Sequence, residues 1–344
     1  MLTGSHCLAV DAMGGDSGPH LTVPSAISAL HQHPQLRIQL FGNEALLAPH
    51  LARSAPGLRA RIDVVHCSET VAMDEKPTQA LRRKRDSSLW RALEAVAKGT
   101  SGACVSAGNT GALMAMGMAL VGRLPGIERP AICTALPTRD GRAYLLDMGA
   151  NIGCDAAQLV QFAHMASAMA QVVDGIRAPR VGLLNIGHEQ GKGDAVVREA
   201  ALRLAADEHI NYQGFVEGDG IYSGDFDIIV CDGFVGNVAL KSSEGVARML
   251  TAMLKESLKG SVAGRLGALL ARRPLARFAG RVDPSHYNGA SLLGLDGVVV
   301  KSHGGATQAG FEQAISVAVA AARQELPRRI ATRLEALTTG PEGV

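Results

Sequence analysis

The sequence is poor in aromatic residues, which make up only 3% of its 344 residues. Proteins that bind single-stranded nucleic acid stack the bases on aromatic side chains, so no nucleic-acid partner is expected. The formal net charge is only +2. The molecule as a whole therefore does not attract partners of one charge, and any electrostatic recognition must be local.

The sequence also lacks the patterns of disulfide, zinc and membrane-spanning proteins. Its six cysteines are scattered without a Cys-x-x-Cys pair, which favours free thiols in a reducing cytoplasm. No uncharged apolar run reaches the roughly 18 residues of a membrane span, and no signal-peptide pattern is found at the N-terminus. The length of 344 residues allows one large domain or two lobes. We predict a cytoplasmic protein of one domain, residues 1–344, that holds no metal.

Glycine, by contrast, is abundant, with 40 residues that recur in polar loops after short apolar runs. The order strand, glycine-rich loop, helix repeats at least six times along the chain. This pattern predicts an α/β fold with a mostly parallel sheet and helices on both faces. Ligands of such sheets bind at the carboxyl ends of the strands, where we expect the loops to cluster.

The segment 181–194 is a clear instance: a buried strand, a polar glycine-rich loop and a helix that Asp194 is expected to cap. Its backbone N–H groups, the helix N-terminus and Lys192 point to one place, which suits an anion. Three residues separate Gly187 from Gly191, where a Walker A loop needs four. The third glycine of the dinucleotide fingerprint is also missing. The segment therefore predicts either a phosphate site or a plain glycine-rich turn.

Five motifs occur in order along the chain. They are Asp-Ala-Met-Gly-Gly-Asp at 11–16, Ser-Ala-Gly-Asn-Thr-Gly-Ala at 106–112, Asn-Ile-Gly-x-Glu-x-Gly-Lys-Gly at 185–193, Asp-Gly-Phe-Val-Gly-Asn at 232–237 and Ser-His-Gly at 302–304. Together they resemble the bacterial phosphate acyltransferases of the PlsX family, from about residue 8 to residue 323. One departure is His188, which stands where an acidic residue is expected.

The resemblance implies a fold like that of isocitrate and isopropylmalate dehydrogenases, related to that of phosphotransacetylases. It implies an acyl-[acyl carrier protein]:phosphate acyltransferase, which makes acyl phosphate for phospholipid synthesis. It further implies a homodimer that needs no nucleotide or other cofactor and is a peripheral membrane protein. The expected partners are therefore acyl carrier protein, inorganic phosphate, an acyl chain and an anionic membrane.

Attack of phosphate on a thioester needs no enzyme nucleophile, only groups that hold a polyanion and stabilise an oxyanion. Lys192 is the candidate for phosphate or oxyanion charge. Asn237, at a helix start, is a candidate donor to the substrate or an N-cap. The candidate substrate-binding residues lie in the same motifs: Asp11, Gly14, Gly15, Asp16, Asn109, Thr110, Gly111, Gly191, Gly193 and His303.

Several of these residues have a second interpretation. Asn109 and Thr110 bind phosphate or cap the following helix, while Asp11 and Asp16 orient basic groups or cap a turn. His303 and His188 are candidate proton donors to the leaving sulfur or structural histidines. Cys104 and Cys231 are the possible acyl-cysteine nucleophiles, but no histidine near them in sequence would activate them. Both are therefore expected to be buried strand residues.

Three other functions fit parts of the sequence. A phosphotransacetylase acting on coenzyme A is the nearest enzymatic alternative. A metal- and NAD-dependent dehydrogenase on the related fold would need a carboxylate cluster, for which Asp225, Asp227 and Asp232 are candidates. A non-catalytic membrane or carrier-protein adaptor would need only a basic surface, and it leaves the five motifs unexplained.

That basic surface is expected in residues 255–281, an amphipathic insertion between two α/β segments. Pro274 is predicted to divide it into two short helices or a helix and a turn. The insertion is predicted to lie on a membrane surface and to dock the acidic carrier protein; a dimer contact or a solvated hairpin is the alternative. The proposed docking residues are Leu266, Leu269, Leu270, Arg272, Arg273 and Arg277.

Overall fold

The computed structural model describes residues 6–338. Its strands are β1 (Cys7–Asp11), β2 (Arg37–Gly42), β3 (Ile62–His66), β4 (Ala103–Ser106), β5 (Ala131–Pro137), β6 (Arg142–Leu146), β7 (Arg180–Leu184), β8 (Asn211–Val216), β9 (Ile228–Val230), β10 (Ala290–Leu293) and β11 (Val298–Lys301). Its helices are α1 (Pro19–Gln32), α2 (Glu44–Leu51), α3 (Pro56–Arg59), α4 (Pro77–Arg83), α5 (Ser88–Ala97), α6 (Thr110–Leu120), α7 (Ala156–Asp174), α8 (Ala195–Ala205), α9 (Gly233–Lys259), α10 (Val262–Leu270), α11 (Arg272–Val282), α12 (Gln308–Arg323) and α13 (Leu326–Thr338).

The strands form one sheet in the order β3-β2-β1-β4-β11-β10-β5-β6-β9-β7-β8. Parallel pairing joins β3 through β11 on one side and β6 through β8 on the other. Between them, β11 with β10, β10 with β5 and β5 with β6 pair antiparallel. The predicted mostly parallel α/β sheet is confirmed.

The three antiparallel pairings reverse the direction of the sheet. Strands β1, β2, β3, β4 and β11 run one way, and β6, β7, β8 and β9 run the other. Their carboxyl ends therefore lie at opposite edges of the sheet. The loops expected to cluster at the carboxyl ends of the strands therefore form two groups, because the strands run in two directions.

Helices cover both faces of the sheet, as predicted. Leu8 and Val10 of β1 belong to one apolar core, which contains residues of α1, α7, α8, α12 and α13. Ala9 points to the opposite face and belongs to a core with α5 and α6. This division follows from the two-residue period of a strand. A third apolar cluster, with Cys231 and the start of α9, completes the second face.

The insertion contains two short helices, as one of the predicted alternatives required. The break falls at Ala271, between α10 and α11, and Pro274 lies in the first turn of α11. Proline is tolerated there because the first helical N–H groups have no partner within the helix. No residue of α10 is buried. Within residues 6–338 no helix has the length and apolar character needed to cross a membrane.

Candidate active site

Three glycine-rich loops meet where β1, β4 and β11 end, because β4 lies between the other two strands. We call residues 11–16, 106–111 and 301–305 the three-loop cluster. The Ser106 hydroxyl donates to Asp11 Oδ2 at 2.6 Å, and the Gly108 N–H donates to Ser106 Oγ at 2.9 Å. The Asp16 N–H donates to the Gly304 carbonyl at 3.0 Å. Hydrogen bonds therefore join all three loops.

Gly14 and Gly15 lie where these loops pack closest. A Cβ at Gly14 would lie 2.5 Å from Asp11 Oδ2 and 2.8 Å from the Gly108 nitrogen. Gly15 has a φ of +85°, and its Cβ would lie 2.9 Å from the Gly304 carbonyl oxygen. Loop packing and backbone conformation thus require both glycines, and their role toward a substrate stays a prediction.

Lys301 belongs to the cluster but was missed in the sequence. It is only 9% exposed, and its Nζ donates to the Ala107 carbonyl at 3.2 Å and to the Ser302 carbonyl. Burial lowers the pKa of Lys301 to about 8, opposed by the Asp11 carboxylate and assisted by Lys241. The available signal was a lysine that ends an otherwise apolar strand directly before the Ser-His-Gly motif.

His303 occupies the turn after β11 and contacts Lys241 of α9, a helix that begins at the opposite sheet edge. Lys241 Nζ lies 2.8 Å from His303 Nε2. The Gly305 N–H donates to His303 Nδ1 at 3.1 Å. Burial and then Lys241 lower the pKa of His303, which disfavours its charged form. Lys241 was also missed, although it lies one helical turn after Asn237 and on the same face.

Asn109 uses its side chain to hold the protein itself. Its Oδ1 accepts from the Ala112 N–H at 3.0 Å and caps α6. Its Nδ2 donates to the carbonyls of Ala72, Met73 and Glu75 at 2.9 to 3.2 Å. Asn109 therefore caps α6, as one of its two interpretations stated. A contact between Asn109 and a substrate stays a prediction.

Thr110 and Gly111 form the first turn of α6 beside the segment that Asn109 holds. A Cβ at Gly111 would lie 2.6 Å from Pro77 Cγ, at the start of α4. The backbone of 72–77 thus covers one side of this helix start. Phosphate binding by Thr110 and Gly111 stays a prediction.

The second loop group contains the start of α9. Asp232 caps this helix, accepting from the Val235 N–H at 2.8 Å, so Asn237 is not the N-cap. The Gly233 N–H donates to the Asn151 carbonyl at 2.7 Å. Asn237 is exposed within α9, and a Cβ at Gly149 would lie 3.7 Å from the Asn237 side chain. Through Asn237 and then Lys241, α9 connects the second loop group to the three-loop cluster.

Lys192 lies in the loop after β7, which the side chain of Asn185 organises. Asn185 Nδ2 donates to the Gly187 and Lys192 carbonyls at 3.2 Å each. Gly193 has a φ of +87° and packs against Asn185 with no room for a Cβ. Asp194 caps α8, as predicted, by accepting from the Val197 N–H at 2.8 Å.

The side chain of Lys192 itself is exposed. No hydrogen bond or ion pair engages it within residues 6–338, and a Cβ at the neighbouring Gly191 would meet open space. In the described part of the chain no hydrogen bond joins this loop to the three-loop cluster. His188 contacts the end of β8, with Nδ1 3.0 Å from the Phe215 carbonyl oxygen and Nε2 3.5 Å from Glu217.

The two candidate cysteines are poor nucleophiles. Cys104 is 0% and Cys231 is 4% exposed. Burial raises the pKa of both thiols well above the ordinary value, with the Asp11 carboxylate adding to the effect on Cys104 and that of Asp147 on Cys231. Both thiols therefore stay protonated at neutral pH, whereas a cysteine nucleophile acts as the thiolate.

Two of the three carboxylates that the dehydrogenase alternative requires, those of Asp227 and Asp232, are occupied in other ways. Asp227 accepts from Arg180 Nε at 3.0 Å and Nη2 at 2.9 Å. Asp232 caps α9, and the backbone N–H of Asp225 is bound by the Ser223 hydroxyl. Among residues 6–338 no three His, Cys, Asp or Glu side chains lie together as a metal site would need.

Solved structures with this architecture include several enzymes. A phosphotransacetylase from Streptococcus pyogenes aligns with a TM-score of 0.61 at 17% identity, over 94% of this chain and 95% of its own. The EutD phosphotransacetylase from Staphylococcus aureus aligns with a TM-score of 0.59 at 15% identity, over 93% and 96%. A 4-hydroxythreonine-4-phosphate dehydrogenase from Klebsiella pneumoniae aligns at 0.54 and 14%, over 93% and 98%. The chain thus has the α/β fold of the phosphotransacetylases.

The family follows from sequence similarity. Residues 7–329 match the family model described as "Fatty acid synthesis protein". The phosphate acyltransferase of Shewanella amazonensis is 51% identical over 332 residues, which cover 96% of this chain and 97% of that protein. That of Halorhodospira halophila is 47% identical over 342 residues, 99% of this chain and 100% of that protein. The chain belongs to the PlsX family of phosphate acyltransferases, enzymes that transfer an acyl group to phosphate.

Proposed function

We propose that the acyl donor is the thioester of acyl carrier protein and that the acyl phosphate formed is used for phospholipid synthesis. The observation that carries this proposal is the 51% identity to a phosphate acyltransferase along 96% of the chain. The buried thiols support direct transfer, in which a phosphate oxygen attacks the thioester carbonyl. The new C–O bond forms, the C–S bond breaks, and the thiolate takes a proton.

The proposed roles follow the two loop groups. Lys192 and Asn237 hold phosphate or stabilise the oxyanion, since both side chains are exposed and the side chain of Lys192 has no other partner in the described chain. His303 is the proposed proton donor to the sulfur, a role that requires the charged imidazolium, which its lowered pKa disfavours. Asp11 and Asp16 orient the basic groups of the three-loop cluster, in line with their electrostatic effect on Lys301.

The assay that tests the donor measures phosphate-dependent release of the free carrier thiol. We expect a higher kcat/KM with acyl carrier protein than with acyl-CoA as the donor. Release that requires no phosphate would contradict acyl transfer to phosphate. A clear preference for acyl-CoA would instead support the phosphotransacetylase alternative.

The insertion is proposed as the contact with an anionic membrane. Leu266, Leu269 and Leu270 are 58%, 61% and 78% exposed, a large apolar area to leave in water. Arg272, Arg273 and Arg277 follow on α11 and are also exposed. Apolar side chains in the interface with arginines near anionic headgroups are typical of helices that lie on a membrane.

Changing all three leucines to Glu should release the enzyme from anionic vesicles, because three charges would enter the interface. Co-sedimentation with vesicles that contain phosphatidylglycerol measures this. The matched control is Leu46→Glu with Leu202→Glu, two leucines on α2 and α8 that are 52% and 74% exposed. Vesicle binding that survives the triple change would exclude this surface.

We also propose that a second copy of the chain covers α9. Met249, Leu250 and Met253 are 53%, 54% and 56% exposed on this helix, and an apolar area of this kind is typical of a homodimer interface. Met249→Glu with Met253→Glu is expected to give monomers in sedimentation velocity experiments. A dimer that persists would move the interface elsewhere.

A further inference from the structure

A second basic surface lies at the end of α4 and in the loop before α5, at Arg82, Arg83 and Arg85; we call it the 82–85 surface. All three side chains are exposed. Arg82 and Arg83 have no hydrogen bond or ion pair with any described residue, and Arg85 lies over the Trp90 ring, 5.7 Å from its centroid. Lys84, between them, pairs with Glu69 at 3.8 Å.

The acidic neighbour of this surface does not neutralise it. Asp86 accepts from the Ser68 hydroxyl at 2.6 Å and from Arg91 at 3.1 Å. These bonds direct its carboxylate toward Ser68 and Arg91, and they lower its pKa, the Ser68 bonds first. The three arginines of the 82–85 surface are therefore left with positive charge that faces solvent.

The 82–85 surface lies close to the three-loop cluster. The segment that leads to it is held by Asn109, and Met73 within that segment would be 3.0 Å from a Cβ at Gly304. Pro77, which opens α4, packs against Gly111. From there α4 runs for seven residues to Arg83, a length of about 10 Å. One small protein can therefore contact this surface and still reach the loops.

The insertion is much farther from these loops. Lys241 of α9 contacts His303, and α9 continues from there to Lys259 before α10 begins. At 1.5 Å per residue, this stretch extends about 27 Å beyond Lys241. A carrier docked at the exposed end of the insertion would have to deliver its thioester over this distance.

We propose that Arg82, Arg83 and Arg85 form the docking surface for the acidic carrier protein. The carrier and the membrane then bind separate surfaces, and the membrane contact stays on α10 and α11. This inference rests on the proposed function, because it takes the protein-bound thioester as the donor. Charge complementarity across such a surface raises the association rate and falls with ionic strength. The arginines act on the carrier and not on the reacting atoms.

The test compares two double variants. One carries Arg82→Glu and Arg83→Glu, and the control carries Arg53→Glu and Arg333→Glu. The control changes the net charge by the same amount as the test variant. Its two arginines are exposed, and their side chains have no hydrogen bond or ion pair with any described residue. Each protein is assayed with acyl carrier protein and with acyl-pantetheine, a small uncharged thioester. The thermal transition of each variant checks its fold.

We expect kcat/KM with the carrier protein to fall about tenfold or more at low ionic strength, with a smaller difference at high salt. The loss should lie mainly in KM, and kcat/KM with acyl-pantetheine should be unchanged. An unchanged carrier reaction, an equal loss with acyl-pantetheine, or an equal loss in the control would each overturn the proposal. Failure of the proposed function is distinguishable, since wild-type enzyme would then show no phosphate-dependent reaction with the carrier.

Discussion

At the scale of single residues, Lys301 differs most from a surface lysine. Its ammonium group has lost most of its hydration, and its pKa is lowered to about 8 from 10.5. Between these two values the unfolded chain binds more protons than the folded one. Folding stability therefore rises with pH across this window, and below it the buried charge opposes folding in full.

Replacing Lys301 by Met should remove this pH dependence. Relative to the variant, the wild-type unfolding free energy should rise by roughly 3 kcal/mol between pH 8 and 10.5, because the pKa shift is about 2.5 units. Urea titrations at several pH values measure the difference between the two proteins. Lys98→Met, at a lysine that is 64% exposed, is the control. Parallel curves for wild type and Lys301→Met would refute the buried charge.

Lys192 gives the opposite expectation, a loss of activity without a loss of stability. Lys192→Ala should lower turnover about a hundredfold if the ammonium stabilises phosphate or the oxyanion. The unfolding free energy should change by less than about 0.5 kcal/mol, because the side chain is exposed and unpaired in the described chain. Steady-state kinetics and urea unfolding measure the two quantities. Wild-type turnover in a folded variant would remove Lys192 from the site.

The residues that sequence patterns identified and those they missed differ in one physical respect. Asp11 and His303 stand in glycine-rich motifs, so local sequence indicates them. Lys241 is two turns inside a helix, and only the fold brings it to His303. The buried state of Lys301 likewise depends on Asp11 of β1 and on Ala107 in the loop after β4, so no local pattern could indicate its pKa.

At the scale of elements, a strand with a strong local apolar pattern is predictable from sequence, and the buried strand predicted at the start of segment 181–194 is observed as β7. β10 was missed because its four residues, Ala290–Leu293, show no alternation. Their strand conformation depends on pairing with β5 and β11. β5 and β6 also pair antiparallel, and the effect of this pairing on the direction of the sheet was not predicted.

The first turn of α9 depends on close packing against the loop after β6. A Cβ at Gly236 would overlap the carbonyl oxygen of Asp147 and lie 2.9 Å from Cys231 Sγ. Gly236→Ala should therefore reduce the unfolding free energy by about 2 kcal/mol and displace Asn237 and Lys241, with a loss of activity. Chemical denaturation and kinetics check both results.

Gly245→Ala, in the same helix, is the matched control. A Cβ at Gly245 would meet nothing within 4 Å, and alanine favours the helix by about 1 kcal/mol over glycine. The control should be as stable as wild type or more stable. Equal effects of the two substitutions would show that packing at Gly236 is not the cause.

At the scale of the whole molecule, one sheet joins the two halves of the chain. β10 and β11 come late in the sequence but lie between β4 and β5. Because these shared strands belong to both halves, we predict that residues 1–344 unfold as one domain. Calorimetry should give a single transition, and the calorimetric enthalpy of unfolding should equal the van't Hoff enthalpy. Two separated transitions would indicate two lobes.

The position of β11 also affects how the protein is made. β4 pairs with β1 on one side and with β11 on the other, and Val298–Lys301 leaves the ribosome long after β4. Throughout most of synthesis, the nascent N-terminal half therefore presents an open strand edge, which is a template for aggregation. We therefore expect the newborn chain to be most prone to aggregation at that edge until its last strand arrives.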